Sequence, residues 1–205
     1  MTRPLDVLII ESHRGVAASA VDGLEGAGHQ VHRCHDDDSH GFPCRGVIDP
    51  AGCPLARHMD VALLVRRRVT PRPTALEHGA TCAIRADVPV VEDGPATLDP
   101  YEPWVAARVD GDVVAACEAA TDAALDDLRR EILHMATPIL SGAGIPTNQA
   151  LCHIDMETTR LGVRFDLPVT VAPTVKQALA VRALDALRGT RRTHGPVEVS
   201  VHAPA

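Results

Sequence analysis

Between His29 and His58 the chain places five histidines and three cysteines: His29, His32, Cys34, His35, His40, Cys44, Cys53 and His58. The whole chain holds 6 cysteines and 11 histidines in 205 residues, so an even spread would put two or three in that window. Thiolate and imidazole are the ligands of zinc, copper and iron–sulfur centres. Cys34, Cys44, Cys53 and Cys82 form the sharpest candidate set, spaced C-x9-C-x8-C-x28-C. That spacing contains no CxxC and matches no standard zinc or ferredoxin signature. As four thiolates they would suit an iron–sulfur cluster. A zinc site would mix the cysteines with His35, His40 or His58. Asp36, Asp37 and Asp38 are candidate hard ligands or acceptors for the histidines. Pro43 precedes Cys44 and Pro54 follows Cys53, stiffening the chain beside each thiol.

These residues need a scaffold. Asp6–Glu11 (DVLIIE) and Asp60–Val65 (DVALLV) read as buried strands of the parallel type. A helix is expected from about Gly15 to Ala27, capped by Ser12 and ended by Gly28. Strand two follows from His29 to about Cys34, and residues 34–58 read as a long ligand-bearing loop. Such loops are usually functional or disordered, and a bound metal is one way to order one. Further on, the pattern predicts a helix from Thr74 to Arg85, a strand over Val88–Val91, a fifth strand near Trp104–Val109 and a long helix from about Asp112 to Met135. Alternating strands and helices indicate an α/β fold with a flavodoxin-like parallel sheet in the order 2-1-3-4-5.

A Ser/Gly/Pro stretch over 138–146 reads as a linker. It would separate a first domain (1–137) from a small α+β domain (147–205) of β-β-α-β pattern. That second unit is small enough to need covering, which suggests a homodimer or a protein partner through it.

Composition narrows the functional classes. The net charge is −7, and the aromatic content is 2%. A nucleic-acid surface needs a basic patch, and single-strand binding needs stacking aromatics, so nucleic acid is not an expected partner. Arg66, Arg67 and Arg68 read as a solvated strand end. No run approaches the roughly 18 apolar residues of a membrane span, and no signal peptide opens the chain. A cytoplasmic location is expected, where thiols stay reduced. Cys117 falls on the apolar stripe of the long helix and reads as core.

The first 65 residues resemble a response-regulator receiver domain, through VLIIES, GLEGAGHQV and DVALLV. The resemblance implies the fold but not the chemistry. Val65 stands where the phosphoacceptor Asp belongs, Ser12 replaces one magnesium-holding acid beside Glu11, and the only lysine, Lys176, lies far from strand five. A second resemblance joins Glu11 and His13, in Glu11-Ser12-His13-Arg14-Gly15, to the Asp-x-His-x-x-Gly loop of cobalamin-binding domains. The acid differs and the glycine comes one residue early, so cobalamin is not expected.

The expected function is a non-enzymatic, metal- or iron–sulfur-binding regulatory or sensor protein. One alternative is an enzyme with a Cys/His site, such as Cys53 with His58, at the carboxyl edge of the sheet. The other is a metal-free interaction module.

Overall fold

A computed structural model describes residues 3–35, 41–69, 72–95, 99–157, 160–188 and 196–204. His40 and Asp36–Asp38 lie outside these residues. The chain divides into two compact units, Met1–Ala123 and Ala124–Ala205.

The first unit is built on β1 (Asp6–Glu11), β2 (Gln30–Arg33), β3 (Val61–Val65), β4 (Val90–Asp93) and β5 (Val105–Arg108). They pair in parallel in the order β2-β1-β3-β4-β5, the flavodoxin-like arrangement expected from the sequence. β1 and β3 are the central strands, and their successive side chains serve opposite faces. Val7, Ile9, Val61, Leu63 and Val65 meet helix α1 (Ala18–Gly26) and the start of α4 (Val113–Gly142), through Ala20, Val21, Leu24, Cys117 and Ala120. Leu8, Ile10, Ala62 and Leu64 meet helix α3 (His78–Arg85) through Ala80 and Ala83, with Cys34 and Met59 on the same side. Both faces are covered, which is why these strands read as unbroken apolar runs.

Several local expectations are corrected. Ser12 does not cap α1. The Glu11 carboxylate takes the amides of Gly15 and Ala17 instead, and the helix starts later, at Ala18. Gly28 does end it: at φ +91° it lets the His29 amide reach the Leu24 carbonyl. The segment between β2 and β3 is not an irregular loop throughout. It holds a short helix α2 (Arg45–Ile48) and two 3₁₀ turns (Pro50–Gly52 and Pro54–Ala56), each opened by a proline with φ pre-set for the turn. α3 is preceded by a 3₁₀ turn with a capping box, Thr74 with Glu77.

Helix α4 continues through Pro138 to Gly142, past the expected stop at Met135, and the division between units falls within it. Buried Ala136 and Leu140 on either side of the proline hold the last turns against the second unit's core. Pro138 costs that helix one amide hydrogen bond, and packing outweighs the loss.

The second unit contains the expected β-β-α-β run: β6 (Leu151–Glu157), β7 (Arg160–Asp166), α5 (Pro173–Arg188) and β8 (Val197–His202). β6 pairs antiparallel with β7, and β8 pairs parallel with β7. Its core joins Leu161, Val163 and Phe165 to Ile132 and Leu140 of α4 and to Leu179, Ala183 and Leu187 of α5. Among the described residues, no helix is long and apolar enough to cross a membrane.

Candidate metal centre and its surroundings

Four cysteines from four separate segments converge at the carboxyl edge of the sheet. Cys34 follows β2. Cys44 stands at the N-cap of α2, Cys53 at the N-cap of the 3₁₀ turn Pro54–Ala56, and Cys82 in α3. Together with His35 and His78 they line a cavity of about 40 Å³. Two glycines bring the backbones close enough. A Cβ on Gly79 would lie 3.3 Å from Cys34 Sγ, and one on Gly46 would lie 3.0 Å from Cys53 Sγ. The Arg45 amide donates to the Cys34 carbonyl at 3.2 Å, which pins α2 to the end of β2.

Burial pushes the Cys34 thiol up to about 12, and Cys53, Cys82 and Cys44 add to the rise by charge repulsion. Cys82 is raised in the same way, first by burial and then by Cys44 and Cys53, with Arg85 opposing. These groups are therefore neutral thiols at pH 7, and only a cation among them would favour the thiolates. Among the described residues, no group of three or more His, Cys, Asp or Glu side chains is drawn together tightly enough to hold a metal ion as it stands. The cysteines surround a gap.

The cysteines singled out in the sequence, Cys82 among them, line one cavity, and beside them stands His78, which the sequence reading did not single out. Its signal was the spacing to Cys82: residues four apart on a helix share a face. His58 is a correction. It lies just before β3, and in a parallel sheet that is the opposite edge from the end of β2. There its Nε2–H donates to Asp60 Oδ1 at 3.0 Å. His13 sits on an exposed turn, with Nδ1 3.1 Å from the Ser12 hydroxyl. Glu11 is occupied by the Gly15 and Ala17 amides just before α1 and by Arg33, 3.3 Å away. Cys117 and Cys152 are core residues, their thiols pushed by burial to about 12 and about 11.

At the amino edge, burial alone would raise the Asp60 carboxyl. Hydrogen bonds from His58, Arg3 and the Asp6 amide outweigh it and hold the group at about 2. A folded-state value below the ordinary 3.8 means the contribution is complete above about pH 4 and is lost as pH falls toward 2. Asp60→Asn is expected to cost at most about 2 kcal/mol at pH 7. It will also flatten the acid limb of a urea-stability profile between about pH 4 and pH 2. An unchanged limb would assign acid sensitivity to other carboxylates.

The carboxyl end of β3 carries Arg66, which is buried rather than solvated. Its Nε donates to Glu77 at 2.9 Å, and Nη1 reaches Glu92 and, at 3.0 Å, Asp99. Its guanidinium lies 5.5 Å from the Tyr101 ring centroid. Arg108 pairs with Glu92 and Glu102. Burial and the neighbouring Asp99 push the Glu92 carboxyl up. Burial also opposes ionisation of Asp99, but the Tyr101 amide and Arg66 more than offset it, so its carboxyl is lowered. Glu92 is thus the first of the pair to take up a proton. Beside Val65, an arginine bound to three carboxylates fills the edge.

No family model matches the sequence, and no curated protein matches it. Among solved structures, response regulator StyR matches at 15% identity and TM-score 0.37, over 72% of this chain and 86% of that one. Era in complex with MgGDPNP and a segment of 16S ribosomal RNA matches at 10% identity and TM-score 0.33, over 100% of this chain and 94% of that one. The flavodoxin-like fold of the first unit stands on its own strand order, five parallel strands in the order β2-β1-β3-β4-β5.

Proposed function

We propose that Cys34, Cys44, Cys53 and Cys82 hold an iron–sulfur cluster or a zinc ion, and that the protein is a non-enzymatic metal-binding regulator. The observation that carries this reading is the convergence of four thiols, spread over 49 sequence positions, on one small cavity. In this reading His35 and His78 are alternate ligands or hydrogen-bond donors to the centre. The second unit carries the partner contacts, through the outer strands β6 and β8 of its sheet.

The test is oxygen-free purification followed by a visible spectrum and elemental analysis for Fe, Zn, Cu and Co. A coloured protein with stoichiometric iron supports the cluster, and one colourless equivalent of zinc supports the mononuclear form. Absence of any metal, also after reconstitution with iron and sulfide or with zinc, overturns the reading. Cys82→Ser is the informative variant, because Cys82 is exposed and its loss leaves the core packing intact. Metal content is expected to fall to background and protease cleavage to appear within residues 41–58. Cys117→Ala and Cys152→Ala will leave the metal in place.

A further inference from the structure

We infer that a second cavity, at the carboxyl ends of β1 and β2, is a binding site for a small anion bearing carboxylate or phosphate. This goes beyond the metal reading and does not depend on it. The cavity measures about 290 Å³, near the lower end of the range for small-molecule sites. It opens where ligands bind in open α/β sheets, outside the carboxyl ends of the strands. Ile9 and Leu76 supply apolar walls, and Glu11, Arg14 and Arg33 supply the charges.

The sign of the ligand follows from which of these charges are already balanced. The Glu11 oxygens accept from the Gly15 and Ala17 amides at 3.4 and 3.0 Å, and the carboxylate pairs with Arg33 at 3.3 Å. The Arg14 guanidinium has no hydrogen bond or ion pair among the described residues. Among the described residues one unbalanced cation therefore remains, on a long side chain able to close over a ligand. A guanidinium binds carboxylate and phosphate through paired N–H donors, and a small organic body fits against Ile9 and Leu76. Cys34 and His35 line both this cavity and the thiol cavity. The two sites therefore share a wall.

The experiment is calorimetric titration of the metal-free full chain at fixed ionic strength, with potassium malonate, with inorganic phosphate, and with neutral malonamide. Saturable one-to-one binding of malonate or phosphate is expected, and whichever binds tighter identifies the anion type. Malonamide will not bind. Arg14→Gln is expected to weaken binding at least about tenfold, while Arg68→Gln, which does not line the cavity, leaves it unchanged. No saturable binding of either anion up to about 10 mM, or wild-type affinity in Arg14→Gln, overturns the inference. Because the protein titrated is metal-free, that failure leaves the metal reading standing. Conversely, loss of the metal reading leaves an observed anion site intact.

Discussion

Arg66→Met is expected to destabilise the first unit by about 3–5 kcal/mol, the cost of removing one partner from a buried charge network. The measurement is urea unfolding followed by Trp104 fluorescence. The substitution keeps most of the aliphatic volume but strands Glu77 and leaves Glu92 and Asp99 to Arg108 alone, and all three are wholly buried carboxylates. Arg108 is already shared among Glu92, Glu102 and, at 3.7 Å, Asp99, so it cannot make up the deficit. The deficit will shrink as pH is lowered, because protonation removes the unpaired charges. Glu92, whose carboxyl is already raised, will protonate first. Arg66→Lys will rescue little, since an ammonium cannot present the planar set of donors that spans three carboxylates. A loss below about 1 kcal/mol would mean the network behaves as a solvated surface cluster.

Gly94→Ala attacks the same region through the backbone and is expected to cost at least about 3 kcal/mol. Gly94 has φ +131°, a conformation that L-residues rarely adopt. A Cβ there would lie 1.9 Å from the Arg66 carbonyl oxygen and 2.8 Å from its carbon. Both are main-chain atoms, so no side-chain rotation relieves the collision. The Arg66 amide is also tied to the Asp93 carbonyl at 2.7 Å, so any shift of Gly94 moves the arginine. Gly111→Ala isolates the conformational part. Gly111 has φ +88° but nothing within 4 Å of the added carbon, so only about 1 kcal/mol is expected. If the two alanine variants melt alike, the collision is being absorbed. Combining Arg66→Met with Gly94→Ala will cost less than the sum, because both disrupt one network.

How much of this was legible in the sequence depends on the range of the physics involved. The central strands were plain because burial on both faces writes itself as an apolar run, DVLIIE and DVALLV. Boundaries were less so. Pro138 looks like a stop from local propensity, and only its packed neighbours Ala136 and Leu140 explain why the helix continues. Ser12 looks like a cap, yet the longer Glu11 side chain reaches the amides first. Within the site, residue type marked out the cysteines, but convergence is a tertiary property. Cys82 lies on a helix laid across the same sheet face as Cys34, and no spacing rule encodes that. His58 was misplaced because sequence proximity to the cysteines says nothing about which edge of a parallel sheet a residue reaches. The Arg66 network was invisible for the same reason: its carboxylates Glu77, Glu92 and Asp99 come from a 3₁₀ turn, from β4 and from the segment after β4, which meet only once β3 and β4 are paired.

The scarcity of aromatic residues has an optical consequence. The single tryptophan, Trp104, and the single tyrosine, Tyr101, both flank the start of β5, one exposed and one buried against the arginine network. Intrinsic emission therefore reports the first unit alone, and unfolding of the second passes unseen unless backbone dichroism is followed beside it. With so little absorbance at 280 nm, an iron–sulfur chromophore in the thiol cavity would stand out in the spectrum of the pure protein, whereas zinc would leave it unchanged there.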